Sequence, residues 1–134
     1  MAAPPLTIRL LAGALGAEIG GVDIAGPLTP ELVDELRGAL LEHHVLVFRN
    51  QSLTHEDQVR FAQWFGELQV HPFVEASPHH PEVIELITEA DEASTFSGGW
   101  HADLTCLEAP VLGSIHYGVE LPVVGGDTLF ANQQ

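Results

Sequence analysis

Residues 100–103 read Trp100-His101-Ala102-Asp103, and residues 125–128, about one hairpin further on, read Gly125-Gly126-Asp127-Thr128. His-x-Asp sets an imidazole and a carboxylate two residues apart. In extended chain, residues i and i+2 point to the same face, so the two side chains converge. A neutral nitrogen donor beside a hard oxygen donor is the start of a two-histidine, one-carboxylate site for Fe(II). The second histidine of such a site is not evident in this chain.

Working outward, the strands and helices around this pair are short. Residues 7–24 mix apolar runs with Gly13, Gly16, Gly20 and Gly21, a pattern of short strands joined by glycine turns. Thr29-Pro30-Glu31 is a helix start, with Thr29 as cap and Pro30 in the first helical position. Leu32, Val33, Leu36, Leu40 and Leu41 follow at helical spacing and predict one apolar face. Val45-Leu46-Val47-Phe48 predicts a buried strand. Thr54-His55-Glu56-Asp57 resembles a capping box for a second helix, with Val59, Ala62 and Phe65 inward and Gly66 as the stop. Residues 71–81, with three prolines and three histidines, predict a loop. Residues 83–87, 114–119 and 128–131 predict further strands, and the acidic-to-small stretch 88–99 a loop ahead of the His-x-Asp pair.

The bulk numbers bound the class. At 134 residues and 46% hydrophobic, the chain is that of a folded domain with a real core. Nineteen acids against four arginines and no lysine give a net charge of −15. Such a chain repels nucleic acid and anionic membrane surfaces, so neither is an expected partner. The acids are scattered, and solvated acidic faces explain them as well as any function. A single cysteine, Cys106, excludes an internal disulfide framework and reads as a small filler. No secretory signal pattern and no apolar run of about 18 residues is visible, so the expected location is cytoplasmic.

Several motifs in order resemble the N-terminal half of the Fe(II)- and 2-oxoglutarate-dependent dioxygenases of the taurine dioxygenase type (TauD/TfdA). Gly16-Ala17-Glu18-Ile19-Gly20-Gly21-Val22-Asp23 is similar to the opening motif of that family. His44-Val45-Leu46-Val47-Phe48-Arg49-Asn50-Gln51 is similar to its first core strand, and Phe65-Gly66-Glu67-Leu68 with His71-Pro72 to its helix end and substrate loop. Leu121-Pro122 and Gly125-Gly126-Asp127-Thr128-Leu129-Phe130-Ala131-Asn132 are similar to the stretch leading into the cosubstrate site.

The resemblance implies an α+β fold with N-terminal helices and part of a double-stranded β-helix (jelly-roll) core. Residues 1–134 would be the N-terminal portion of a single dioxygenase domain, with the C-terminal half absent. His101 and Asp103 would be iron ligands, Thr128 would hydrogen-bond a carboxylate of 2-oxoglutarate, and His71 would face the acidic group of the substrate. Trp100 would pack to orient the strand. The cofactors implied are Fe(II) and, as cosubstrate, 2-oxoglutarate. The partners implied are O2 and a small anionic molecule such as a sulfonate or sulfate ester, hydroxylated with release of succinate and CO2. Val74 and Ser97 stand where sulfonate-using members carry tyrosine and asparagine, which puts taurine itself in doubt. The second iron histidine and the arginine for the far carboxylate of 2-oxoglutarate have no counterpart in the chain; Arg9, Arg37, Arg49 and Arg60 do not stand at that position. The other reading left open by that gap is a non-catalytic remnant or binding domain, and a homo-oligomer is compatible with either.

Overall fold

The computed structural model describes residues 5–89 and 99–133. The element order is β1 (Thr7–Leu10), β2 (Ala17–Gly20), α1 (Pro30–His43), β3 (Leu46–Phe48) and α2 (His55–Gln63). The chain divides into two compact units, residues 1–57 with 117–134, and residues 58–116. The α+β organisation is as expected.

In the first unit the strand order is β1-β2-β3. β1 pairs antiparallel with β2, Thr7 opposite Gly20 and Leu10 opposite Ala17. β2 pairs parallel with β3, Ala17 opposite Leu46 and Ile19 opposite Phe48. Parallel neighbours need a crossover, and α1 provides it. β2 is the central strand and alternates with period two: Ala17 and Ile19 are buried, while Glu18 and Gly20 are only half-buried. Among the described residues of this unit, Val22, Ile24, Val33, Leu36 and Ala39 are the other buried apolar side chains.

α1 starts where the sequence places its cap. The Thr29 hydroxyl accepts from the Leu32 amide at 3.3 Å, and Pro30 opens the helix. Its buried residues are Val33, Leu36 and Ala39. Leu41, expected on the inner face, is 74% exposed, because it lies roughly 140° around the axis from Leu36. The helix ends at His43, and the His44 amide donates to the Leu40 carbonyl at 2.8 Å from a positive φ of 64°.

α2 carries a reciprocal capping box. The Asp57 amide donates to the Thr54 hydroxyl at 3.2 Å, and the Thr54 amide donates to the Asp57 carboxylate at 2.9 Å. Thr54→Ala should therefore cost about 1 kcal/mol, measured as a lower denaturation midpoint. Phe61, not one of the three positions expected, is the buried residue of this helix. Its ring meets Phe65 edge-on, with centroids 5.3 Å apart. Val59, Ala62 and Phe65 are half-buried.

Across β1 and β2, Arg9 Nη2 lies 2.7 Å from Glu18 Oε2, and Arg49 reaches the same oxygen at 3.5 Å. The Arg9 hydrogen bond and charge hold the Glu18 carboxyl below its usual 4.5, with Arg49 adding to the effect. The unfolded chain then takes up this proton at a higher pH than the folded one. The contribution is complete above about pH 4.5 and is lost as pH falls through the lower folded value. Glu18→Gln should flatten the acid side of the stability–pH profile, as followed by thermal unfolding.

Three expected strands are absent among the described residues. Segments 83–87, 114–119 and 128–131 are irregular. A strand exists only through its ladder, and these segments pair with no other strand among the described residues. Val83 shows an alternative: its amide donates to His80 and its carbonyl accepts from Ser77, closing a local turn. The predicted loop 71–81 is irregular, apart from the isolated Ser77–His80 bridge. Ser97 and most of the expected 88–99 loop lie outside the described residues. Among the described residues, no helix is long and apolar enough to cross a membrane.

Candidate metal centre

His101 and Asp103 meet. His101 Nε2 lies 3.3 Å from Asp103 Oδ1, although the chain here is irregular rather than strand. The side chains are 58% and 44% exposed, open enough for small molecules to reach them.

The protonation pattern follows from the partners. His101 Nδ1 lies 2.9 Å from the Gly99 carbonyl oxygen. A carbonyl only accepts, so Nδ1 carries the hydrogen. In the neutral imidazole, Nε2 is then a bare lone pair facing a carboxylate oxygen. A metal ion bound by both atoms satisfies this pair, as does a second ring hydrogen donated from Nε2 to the carboxylate. Adjacent ligands of a divalent ion, each bound at about 2.1 Å, stand about 3 Å apart at right angles. The observed spacing fits that arrangement, and the nitrogen-plus-carboxylate donor set suits Fe(II). Fixing the tautomer through the far ring nitrogen is the usual second-layer device at metal-bound histidines.

Asp103 is held from its other side. The Ser114 hydroxyl donates to Asp103 Oδ2 at 2.9 Å, and His116 Nε2 lies 3.0 Å from the same hydroxyl oxygen. The backbone between them is tied to α2, since Gln58 Nε2 donates to the Ile115 carbonyl at 2.8 Å. Ser114 was not legible as a site residue, because nothing in its spacing distinguishes it from a surface serine. Among the described residues, no group of three or more histidines, cysteines, aspartates or glutamates is placed to hold a metal ion.

His71 has its own fixed orientation. The Phe73 amide donates to His71 Nδ1 at 3.2 Å, and the two rings meet edge-on with centroids 6.0 Å apart. Nδ1 is thus an acceptor, and the neutral ring carries its hydrogen on Nε2. Trp100, expected to pack, is instead 73% exposed: no described neighbour covers its ring. Thr128 is exposed in irregular chain in the first unit. The Gly125-Gly126 pair ahead of it turns through positive φ values of 83° and 71°. A Cβ on Gly126 would sit 2.9 Å from Pro122 Cγ, so only glycine fits this turn.

A histidine nitrogen beside a carboxylate oxygen is a donor pair that suits a divalent metal ion. The model of the TauD, TfdA taurine catabolism dioxygenase family matches residues 7–134, and the chain belongs to that family. It is 37% identical over 130 residues to an alkylsulfatase of Acinetobacter baylyi, covering 96% of this chain and 40% of that protein. It is 34% identical to an alpha-ketoglutarate-dependent sulfate ester dioxygenase of Pseudomonas putida, over 95% of this chain and 42% of that protein. Among solved structures, a taurine dioxygenase from Burkholderia xenovorans superposes with a TM-score of 0.55 at 40% identity, covering 58% of this chain and 28% of that one. The chain therefore spans less than half the length of the curated relatives it matches.

Proposed function

We propose that the whole protein is an Fe(II)/2-oxoglutarate-dependent dioxygenase that hydroxylates a small organic sulfate ester or sulfonate, with release of succinate and CO2. Residues 1–134 are the N-terminal portion of its single jelly-roll domain. The observation that carries this reading is the His101–Asp103 pair, a ring nitrogen and a carboxylate oxygen 3.3 Å apart with Nδ1 directed to the Gly99 carbonyl. When bound, Fe(II) supplies open positions for 2-oxoglutarate and O2 and the oxidising power that replaces a substrate C–H by C–OH.

The residues of this chain divide the work. His101 supplies the neutral nitrogen and Asp103 one negative charge, leaving room for the carboxylate of 2-oxoglutarate. Thr128 offers its hydroxyl to that cosubstrate. His71, with Nδ1 engaged by Phe73, presents Nε2–H as a donor to an anionic oxygen of the substrate. Val74 contributes no hydroxyl, which favours sulfate esters over taurine. Hydroxylation on the carbon bearing the sulfur-linked group leaves a product that collapses to a carbonyl compound and the free inorganic anion.

The test is succinate release by the whole protein with an alkyl sulfate, taurine and an aryloxy acid in turn. The alkyl sulfate should exceed taurine in kcat/KM by about tenfold, the scale of one lost hydrogen bond to a charged group. His71→Ala should raise KM for the anion more than it lowers kcat. Succinate release stimulated by none of the three would overturn the substrate class.

A further inference from the structure

We infer that Ser114 and His116 are positioning residues for Asp103, a directional hydrogen-bond chain that holds its outer oxygen and leaves Oδ1 for the metal. The inference rests on the iron-site reading above and adds two residues to it.

The direction of the chain follows from the donors available. An ionised carboxylate only accepts, so the single Ser114 hydroxyl hydrogen is spent on Asp103 Oδ2 at 2.9 Å. The same oxygen then meets His116 Nε2 at 3.0 Å as an acceptor, and His116 must carry its hydrogen on Nε2. The sequence is His116 Nε2–H to Ser114 Oγ, then Ser114 Oγ–H to Asp103 Oδ2. Each bond polarises the next, which strengthens the contact at the carboxylate.

The geometry separates the two carboxylate oxygens. Oδ2 is engaged by Ser114, while Oδ1 faces His101 Nε2 at 3.3 Å. A carboxylate pinned in this way would offer the metal Oδ1 while Oδ2 stays with Ser114. Ser114 and His116 are two residues apart, and their side chains meet at 3.0 Å. Gln58 fixes the peptide between them through the Ile115 carbonyl. The clamp thus stands on α2.

The test is an anaerobic titration of the whole protein with Co(II) alone, followed by d–d absorption, which reports both affinity and ligand arrangement. Ser114→Ala should weaken Co(II) binding about 10- to 100-fold and change the band shape, the usual cost of an outer-layer ligand partner. Ser114→Thr, which keeps the hydroxyl, should stay within about twofold of the parent. His116→Gln returns an N–H donor near the Nε2 position and should bind Co(II) more tightly than His116→Leu. His101→Ala is run beside them. If Ser114→Ala keeps the parent affinity and spectrum while His101→Ala loses both, the clamp is wrong and the metal site stands. If His101→Ala also keeps them, the metal site is wrong and the clamp falls with it.

Discussion

His101→Ala in the whole protein is expected to remove Fe(II) binding and, with it, consumption of 2-oxoglutarate. The expected loss of metal affinity exceeds the roughly 10- to 100-fold that outer-layer changes cost, because on the proposed reading a ligand itself is deleted. The reason lies in the local chemistry. The Gly99 carbonyl takes the Nδ1 hydrogen, so the Nε2 lone pair is the only other donor site on the ring. It points at Asp103 Oδ1 from 3.3 Å. Alanine removes the nitrogen and leaves a carboxylate that Ser114 still holds. Anaerobic Fe(II) titration checks the metal, and succinate formation checks the turnover. A variant that binds Fe(II) like the parent would show that the ion is held elsewhere.

The second large effect is expected in the core of the first unit. Leu36 is fully buried on α1, with Val33 and Ala39 buried one turn to either side. Leu36→Ala removes three carbon atoms from a packed site and leaves a cavity, which costs about 2–5 kcal/mol. The denaturant midpoint should drop without a change in slope. Leu41→Ala is the matched control. Leu41 is 74% exposed on the same helix, and its loss should stay within about 0.5 kcal/mol. Equal, small shifts for both variants would mean that α1 does not anchor this unit.

Legibility differed between kinds of feature for physical reasons. Both helix starts were readable, since a cap is a contact over three residues: Thr29 with Leu32, and Thr54 with Asp57. β1 and β2 were readable because glycine turns bring them together over a short span. His101 and Asp103 meet as expected, but in irregular chain, so closeness along the chain and not strand alternation brings them together. The roles of Thr128 and His71 came from family resemblance, and succinate assays on their variants remain their test. The three expected strands at 83–87, 114–119 and 128–131 were misread because apolar alternation records a tendency and not a partner. Phe61 was missed because the expected face of α2 was drawn one position away from the ring that is buried.

The sequence by itself determined the caps, the short β1–β2 pairing, the family and the convergence of one histidine with one aspartate. All of these depend on residues close in the chain or on ordered motifs. Only the tertiary structure decided which strand is central, which helix residues are buried and what surrounds the aspartate. Ser114 lies eleven positions from Asp103, and Gln58 lies fifty-seven from Ile115. No local periodicity encodes such pairs, because their hydrogen bonds exist only once the chain has folded and a distant donor has been brought to a particular oxygen.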